Sequence, residues 1–225
     1  MRKALLFCGI LASLLYTAMN IFIPLLYPGY HMVSKTVSEL SAVGSPTKAI
    51  WLVPALIYTL LVAAFGLGIK MSAGDNASLR ILGTLMIISG IVGLAWSPMH
   101  QREVIAAGGG TFTDTWHIVM SIVTVFLMML MIGFGAAGLG KSFRIYSIAS
   151  MVIFIVFGVL TSLEAPGINR NAATPMIGVW ERINIGTYML WMIVLALILS
   201  KKERSGSSAA SKTIKNSKKS LWQQY

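Results

Sequence analysis

Residues 115–138 read TWHIVMSIVTVFLMMLMIGFGAAG. Beyond His117 no ionisable side chain interrupts this run. A helix needs about 20 mostly apolar residues to cross a hydrocarbon core roughly 30 Å thick, and this stretch is long enough. Five more stretches of the same kind lie on either side, over residues 4–26, 48–69, 79–97, 144–162 and 181–199. None alternates polar and apolar residues as a barrel strand would. A helix satisfies its own backbone hydrogen bonds where no water is present. The chain is therefore expected to be all-α, an integral membrane bundle of six transmembrane helices over residues 1–200, followed by a basic tail over 201–225.

Composition agrees. Of 225 residues, 56% are hydrophobic and 11% charged, against roughly 25% charged in soluble domains. The formal net charge is +11, and its location matters more than its size. Lys35, Lys48, Arg102, Arg170 and Arg182 fall on one side of the predicted membrane. All other Lys and Arg of the chain's 18 fall on the opposite side. The positive-inside rule then puts both termini in the cytoplasm. The charge is topological, and no nucleic-acid partner is expected. The Ser/Lys-rich tail reads as disordered. It is either simply solvated or in contact with anionic lipid, where each basic residue near the surface adds about 1 kcal/mol. Arg2 and Lys3 precede a first span too long for an ordinary signal h-region, so it is expected to stay as an uncleaved anchor. Cys8 is the single cysteine and reads as a small packing residue.

Two readings fit the spacing of aromatics and prolines. Trp51, Trp116 and Trp180 lie near the outer starts of spans two, four and six, and Pro28, Pro98 and Pro166 follow spans one, three and five. A three-hairpin repeat would produce this pattern. An ordinary aromatic belt with helix-ending prolines would too.

No span carries Asp, Glu, Lys, Arg or His near its centre; Asn20 and Asn184 are the most polar residues within them. Ion and proton pathways use intramembrane ionisable groups, so a proton-coupled transporter or pump is disfavoured, as is a haem protein with facing histidines. Ionisable residues gather instead in three long outer loops, longer than the roughly 12–15 residues above which loops are usually functional or disordered. In the first, Thr36-Val37-Ser38-Glu39 fits a capping box, with Gly44 at the helix C′ position and Ser45-Pro46 starting span two.

The second loop holds His100, Arg102, Glu103, Asp114 and His117 around Gly108-Gly109-Gly110. His100, Asp114 and His117 would suit zinc, with Glu103 as general base, although the spacing matches no tight metal signature. The simpler alternative has Asp114 capping span four, Glu103 pairing with Arg102 and the histidines at the wet interface. In the third loop, Glu181 suits a helix N-terminus. Arg182 does not, and is expected to find a partner among Glu39, Glu103, Asp114 and Glu164.

Tyr27-Pro28-Gly29-Tyr30, Ser38-Glu39-Leu40-Ser41-Ala42-Val43-Gly44, Met99-His100-Gln101-Arg102-Glu103 with the glycine run, and Gly178-Val179-Trp180-Glu181-Arg182-Ile183-Asn184 together resemble the DUF998 family. These are uncharacterised multi-pass membrane proteins, mostly of bacteria and archaea. The resemblance extends to about residue 199 and excludes the tail. It implies a prokaryotic cytoplasmic (inner) membrane and carries over no catalytic residue. The expected function is a membrane protein whose polar extracytoplasmic cap binds a lipid headgroup, small ligand or partner through Glu39, His100, Arg102, Glu103, Asp114, His117, Glu181 and Arg182. A membrane-embedded metal-dependent hydrolase and a small-molecule transporter are the alternatives.

Overall fold

The structure, a computed structural model, describes the backbone of residues 1–222 and the side chains of residues 1–203. Six helices are long and apolar enough to span a membrane. They are α1 (Arg2–Phe22), α2 (Lys48–Ser72), α3 (Ala77–Leu94), α4 (Phe112–Gly138), α5 (Lys141–Glu164) and α6 (Ile177–Trp222). Each of the six expected spans falls on one of these helices. The tail's expected lipid contact concerns side chains outside the described residues.

Each helix packs on the next, and α6 returns to pack on α1, so the six form a closed ring. The ring is filled from α6, whose Tyr188, Trp191, Met192, Leu195 and Ala196 are all buried. Trp191 Nε1 donates to Ser147 Oγ on α5 at 2.9 Å, which satisfies an indole that would otherwise be costly to bury. The outward faces of α1, α2, α4 and α5 carry exposed Leu, Ile, Val and Phe, as lipid-facing surfaces do.

Helices in lipid gain no hydrophobic drive to associate, so close packing at small residues holds them. The tightest case is α2 on α3. A Cβ built on Gly83 would stand 2.7 Å from the Gly66 carbonyl oxygen, and the reverse distance is also 2.7 Å. Proline leaves α2 unbroken at Pro54. At Pro24 the end of α1 tightens into a 3-10 turn over Ile23–Leu26.

Both ends of the bundle are tied. At one, Arg2 meets Glu203 at 3.6 Å, and Asn76 Nδ2 donates to the Gly138 carbonyl oxygen at 2.8 Å. The three long loops, residues 27–47, 95–111 and 165–176, meet at the other.

Candidate functional site

The first loop is the hub of this cluster. Thr36 caps a 3-10 helix, Val37–Ser41, through the expected capping box. Glu39 Oε2 accepts from Thr36 N at 2.7 Å. The helix ends at Ser41, earlier than expected, and Gly44 (φ +86°) turns the chain two residues past the Ala42 cap. That left-handed conformation is one glycine adopts without strain. The start of α2 also differs. Its N-cap is Thr47, whose amide donates to Ser45 Oγ at 3.2 Å.

The second loop crosses the first. Val43 N donates to the Met99 carbonyl oxygen at 2.7 Å. Arg102 then closes on Glu39, Nε to Oε1 and Nη2 to Oε2, both at 2.8 Å. Both side chains are buried, at 7% and 4% exposure for the residues. Burial works against the guanidinium's charge, but the bonds and charge of Glu39, with Glu103's charge, outweigh it. They hold Arg102 above its ordinary pKa. Arg102 Nη1 reaches Thr174 Oγ1 in the third loop at 3.1 Å, and Thr174 Oγ1 donates to the Ser34 carbonyl oxygen at 2.8 Å. One guanidinium thus joins all three loops. The expected Arg102–Glu103 pair is not formed; Glu103 points to solvent.

Arg182 has no carboxylate partner among the described residues, contrary to expectation. Its Nη1 donates to the carbonyl oxygens of Met32, Gly178 and Lys35 at 2.9, 3.0 and 3.2 Å. Its Nη2 donates to Tyr30 OH at 2.7 Å. Tyr30 OH in turn donates to the Thr36 carbonyl oxygen at 2.7 Å. Burial holds this phenol above its ordinary pKa against the lowering effect of Arg182. Arg182 therefore answers dangling carbonyls of the loop. Glu181 lies a turn inside α6 and accepts from Val37 N at 2.6 Å, so it serves the first loop's helix as well as its own.

Asp114 does serve the start of α4, but from within its first turn: the helix begins earlier than expected, Thr111 is the N-cap and Asp114 closes a capping box onto it. Its Oδ2 accepts from Thr111 N at 2.8 Å and pairs with His100 Nδ1 at 3.0 Å. Its Oδ1 accepts from His100 N at 2.6 Å. His117, buried, places Nδ1 2.7 Å from the Ser97 carbonyl oxygen and Nε2 3.1 Å from Ser38 Oγ. Among the described residues no group of three His, Cys, Asp or Glu side chains could hold a metal ion. Of the three proposed zinc ligands, His100 and Asp114 meet, but His117 is turned to Ser97 and Ser38, so the three do not form one site.

The family model described as "Protein of unknown function (DUF998)" matches residues 10–198. The chain belongs to the DUF998 family. It is a multi-pass membrane protein, and the match covers nearly the whole ring of helices and all three long loops. No curated protein and no solved structure matches it. The motifs that resemble DUF998 are those that build the loop cluster. Ser38-Glu39 supplies the helix that takes Arg102, and Gly178–Asn184 supplies the surface on which the first loop rests. Asn184 itself reaches α5. With its amide nitrogen turned toward Phe154 it donates to that carbonyl oxygen at 3.0 Å and accepts from Gly158 N at 2.9 Å. The sequence did not single out Thr174, Tyr30 or Ser38, whose partners Ser34, Arg182 and His117 lie 140, 152 and 79 residues away.

Proposed function

We propose that this DUF998 protein binds anionic lipid headgroups at the outer leaflet of a prokaryotic cytoplasmic membrane. Its three long loops form the extracytoplasmic cap that does so. One observation carries the reading: the acids of the loops are consumed inside the protein, and several of the bases are not. Glu39 is held by Arg102 and Thr36, Asp114 by His100 and Thr111, and Glu181 by the Val37 amide. Glu164 accepts from Met176 N at 3.0 Å and from Trp180 Nε1 at 3.2 Å. Lys35, Lys48 and Arg170 take part in no ion pair among the described residues. Lys35 Nζ instead stands 5.8 Å from the Tyr27 ring centroid. The loop surface thus keeps positive charge, opposed chiefly by the exposed Glu103. Each basic group near an anionic surface contributes about 1 kcal/mol. The orientation follows from the Lys and Arg distribution.

The test is thermal unfolding of the full chain in nanodiscs of phosphatidylglycerol and of phosphatidylcholine. Phosphatidylglycerol is expected to raise the unfolding temperature. High salt should remove the gain, and the Lys35→Gln, Lys48→Gln, Arg170→Gln triple variant should remove most of it. Equal stability in both lipids, or a gain untouched by the triple variant, rules the reading out. The second outcome would move the lipid contact to the tail, which that variant leaves intact.

A further inference from the structure

We infer that Ser38 and His117 form a nucleophile–base pair for cleaving a carboxylic ester whose acyl chain lies in the membrane interface. The inference needs the membrane placement of the helices but not the headgroup reading.

The geometry begins at Ser97. A carbonyl oxygen can only accept, so the 2.7 Å contact puts the hydrogen of the neutral His117 ring on Nδ1. Nε2 is then left with its lone pair, 3.1 Å from Ser38 Oγ. A hydroxyl facing an imidazole lone pair, with the far ring nitrogen held by a third group, is the arrangement that activates serine nucleophiles. Trp96 meets the His117 ring edge-on, with centroids 4.9 Å apart, which fixes the plane of the ring. Asp114, three residues back on α4, adds a negative charge on the same helix face.

Ser38 is equally fixed. It sits between Val37, whose amide is held by Glu181, and Glu39, which is held by Arg102. The loop cluster thus has a task that its hydrogen bonds alone do not explain: it presents one hydroxyl to one imidazole on another element. His117 is 5% exposed and Ser38 is partly open, so the base is shielded and the nucleophile can be reached.

A groove of about 200 Å³ lies beside Ser97, the residue whose carbonyl holds His117, and is lined further by Phe112, Thr113 and Trp116. Phe112 stacks on Trp116 with centroids 6.1 Å apart and is 77% exposed. The volume is below the roughly 300–1,000 Å³ of pockets that enclose a whole drug-sized ligand. It suits one acyl chain entering from the bilayer.

In the reaction, Ser38 Oγ attacks the ester carbonyl carbon and its proton passes to His117 Nε2. The bond from that carbon to the alkoxy oxygen breaks, and the leaving alcohol takes the proton from His117. Water then attacks the acyl-Ser38 ester, again giving a proton to His117. The bond to Ser38 Oγ breaks, Ser38 recovers its proton, and the carboxylic acid departs. The sum is ester plus water giving acid plus alcohol.

The test is treatment of the folded, full-length protein in nanodiscs with a long-chain alkyl fluorophosphonate, read by intact mass and peptide mapping. One phosphonyl adduct per chain is expected, on Ser38. Ser38→Ala should abolish it while the variant still folds and unfolds cooperatively, its unfolding temperature lowered by no more than the several degrees that leaving the His117 Nε2 acceptor unpaired would cost. His117→Gln should slow labelling about 100-fold or more, the lower range of general-base effects. Trp116→Ala should slow a long-chain probe more than a short-chain one. A folded wild-type protein left unmodified at Ser38 overturns the inference, and so does a Ser38→Ala variant labelled as fast as wild type. A merely structural Ser38–His117 tie gives the first of these results. Neither result bears on the phosphatidylglycerol measurement, so the two readings fail separately.

Discussion

Arg102 closes on Glu39 through two parallel hydrogen bonds of 2.8 Å, across 63 residues of sequence, with both side chains buried. Bidentate guanidinium–carboxylate geometry is strong and directional. Removing one member of a buried pair typically costs about 3–5 kcal/mol, because the other is left charged and unpaired. Arg102→Met is expected to show a loss of that size by denaturant unfolding in detergent. The Glu39→Leu, Arg102→Met double variant should lose less than the sum of its single variants by at least about 1 kcal/mol. Strict additivity would mean that the two residues act independently.

Gly178 lets the first loop touch α6. A Cβ there would collide with the carbonyl oxygens of Met32 and Lys35, the same oxygens that Arg182 holds. Gly178→Ala should lift the loop from the helix and break the Gly178 N to Val33 carbonyl bond, now 2.9 Å. Limited proteolysis within residues 31–35 reads this directly. Wild-type resistance in the variant would contradict the contact.

Asp114 ties both ends of the second loop with one carboxylate. Loss of an N-cap interaction costs roughly 0.5–2 kcal/mol, and here the His100 backbone amide loses its acceptor as well. Asp114→Ala is expected to destabilise by about 2 kcal/mol and to speed hydrogen exchange at the His100 and Thr111 amides together. Faster exchange at Thr111 alone would show that His100 is held by something else.

Two glycines with different surroundings make an internal control for helix packing. At Gly83 a Cβ would meet backbone of α2 at 2.7 Å, whereas at Gly133 it would meet only Met151 Cε at 3.9 Å. Gly83→Ala should lower the unfolding temperature by several degrees, and Gly133→Ala should leave it unchanged or raise it slightly, since Ala is the better helix former. Equal effects would mean that α2 and α3 do not meet through these residues.

Orientation is tested by cysteine labelling of intact cells with a membrane-impermeant maleimide, in a Cys8→Ala background. Glu103→Cys should react from outside and Asp75→Cys only after lysis. The reverse pattern would place the three long loops in the cytoplasm and would overturn both the lipid and the ester proposals as outer-leaflet functions.

Parts of the loop cluster were legible in the chain where the interaction is local. The Thr36–Glu39 box formed as expected; Asp114 does serve the start of α4, but as the N3 residue of a box capped by Thr111, three residues earlier than expected. Expectations that paired neighbours across undefined loops did less well. Arg102 bypasses the adjacent Glu103, and Arg182 takes carbonyl oxygens in place of any acid. Carbonyl partners carry no side-chain signature, because every residue has one. Ser38 was equally hidden. Its partner His117 is 79 residues away, and a serine inside a capping-box motif already has a sufficient local explanation.

The chain by itself determined the six helices and their apolar exterior, and their ends within a few residues except at α6, which continues as helix to Trp222, beyond the expected end at 199 and into the tail read as disordered. Lipid as solvent imposes length and composition on every span separately, and those constraints are written in consecutive residues. Tertiary structure alone decided which loop group meets which, the closure of α6 on α1, and the filling of the ring by Tyr188 and Trp191. Those outcomes depend on where six packed helices set the ends of three loops. The distances that matter there, a few ångströms between residues tens of positions apart, are fixed by helix packing and leave no periodic trace in the sequence.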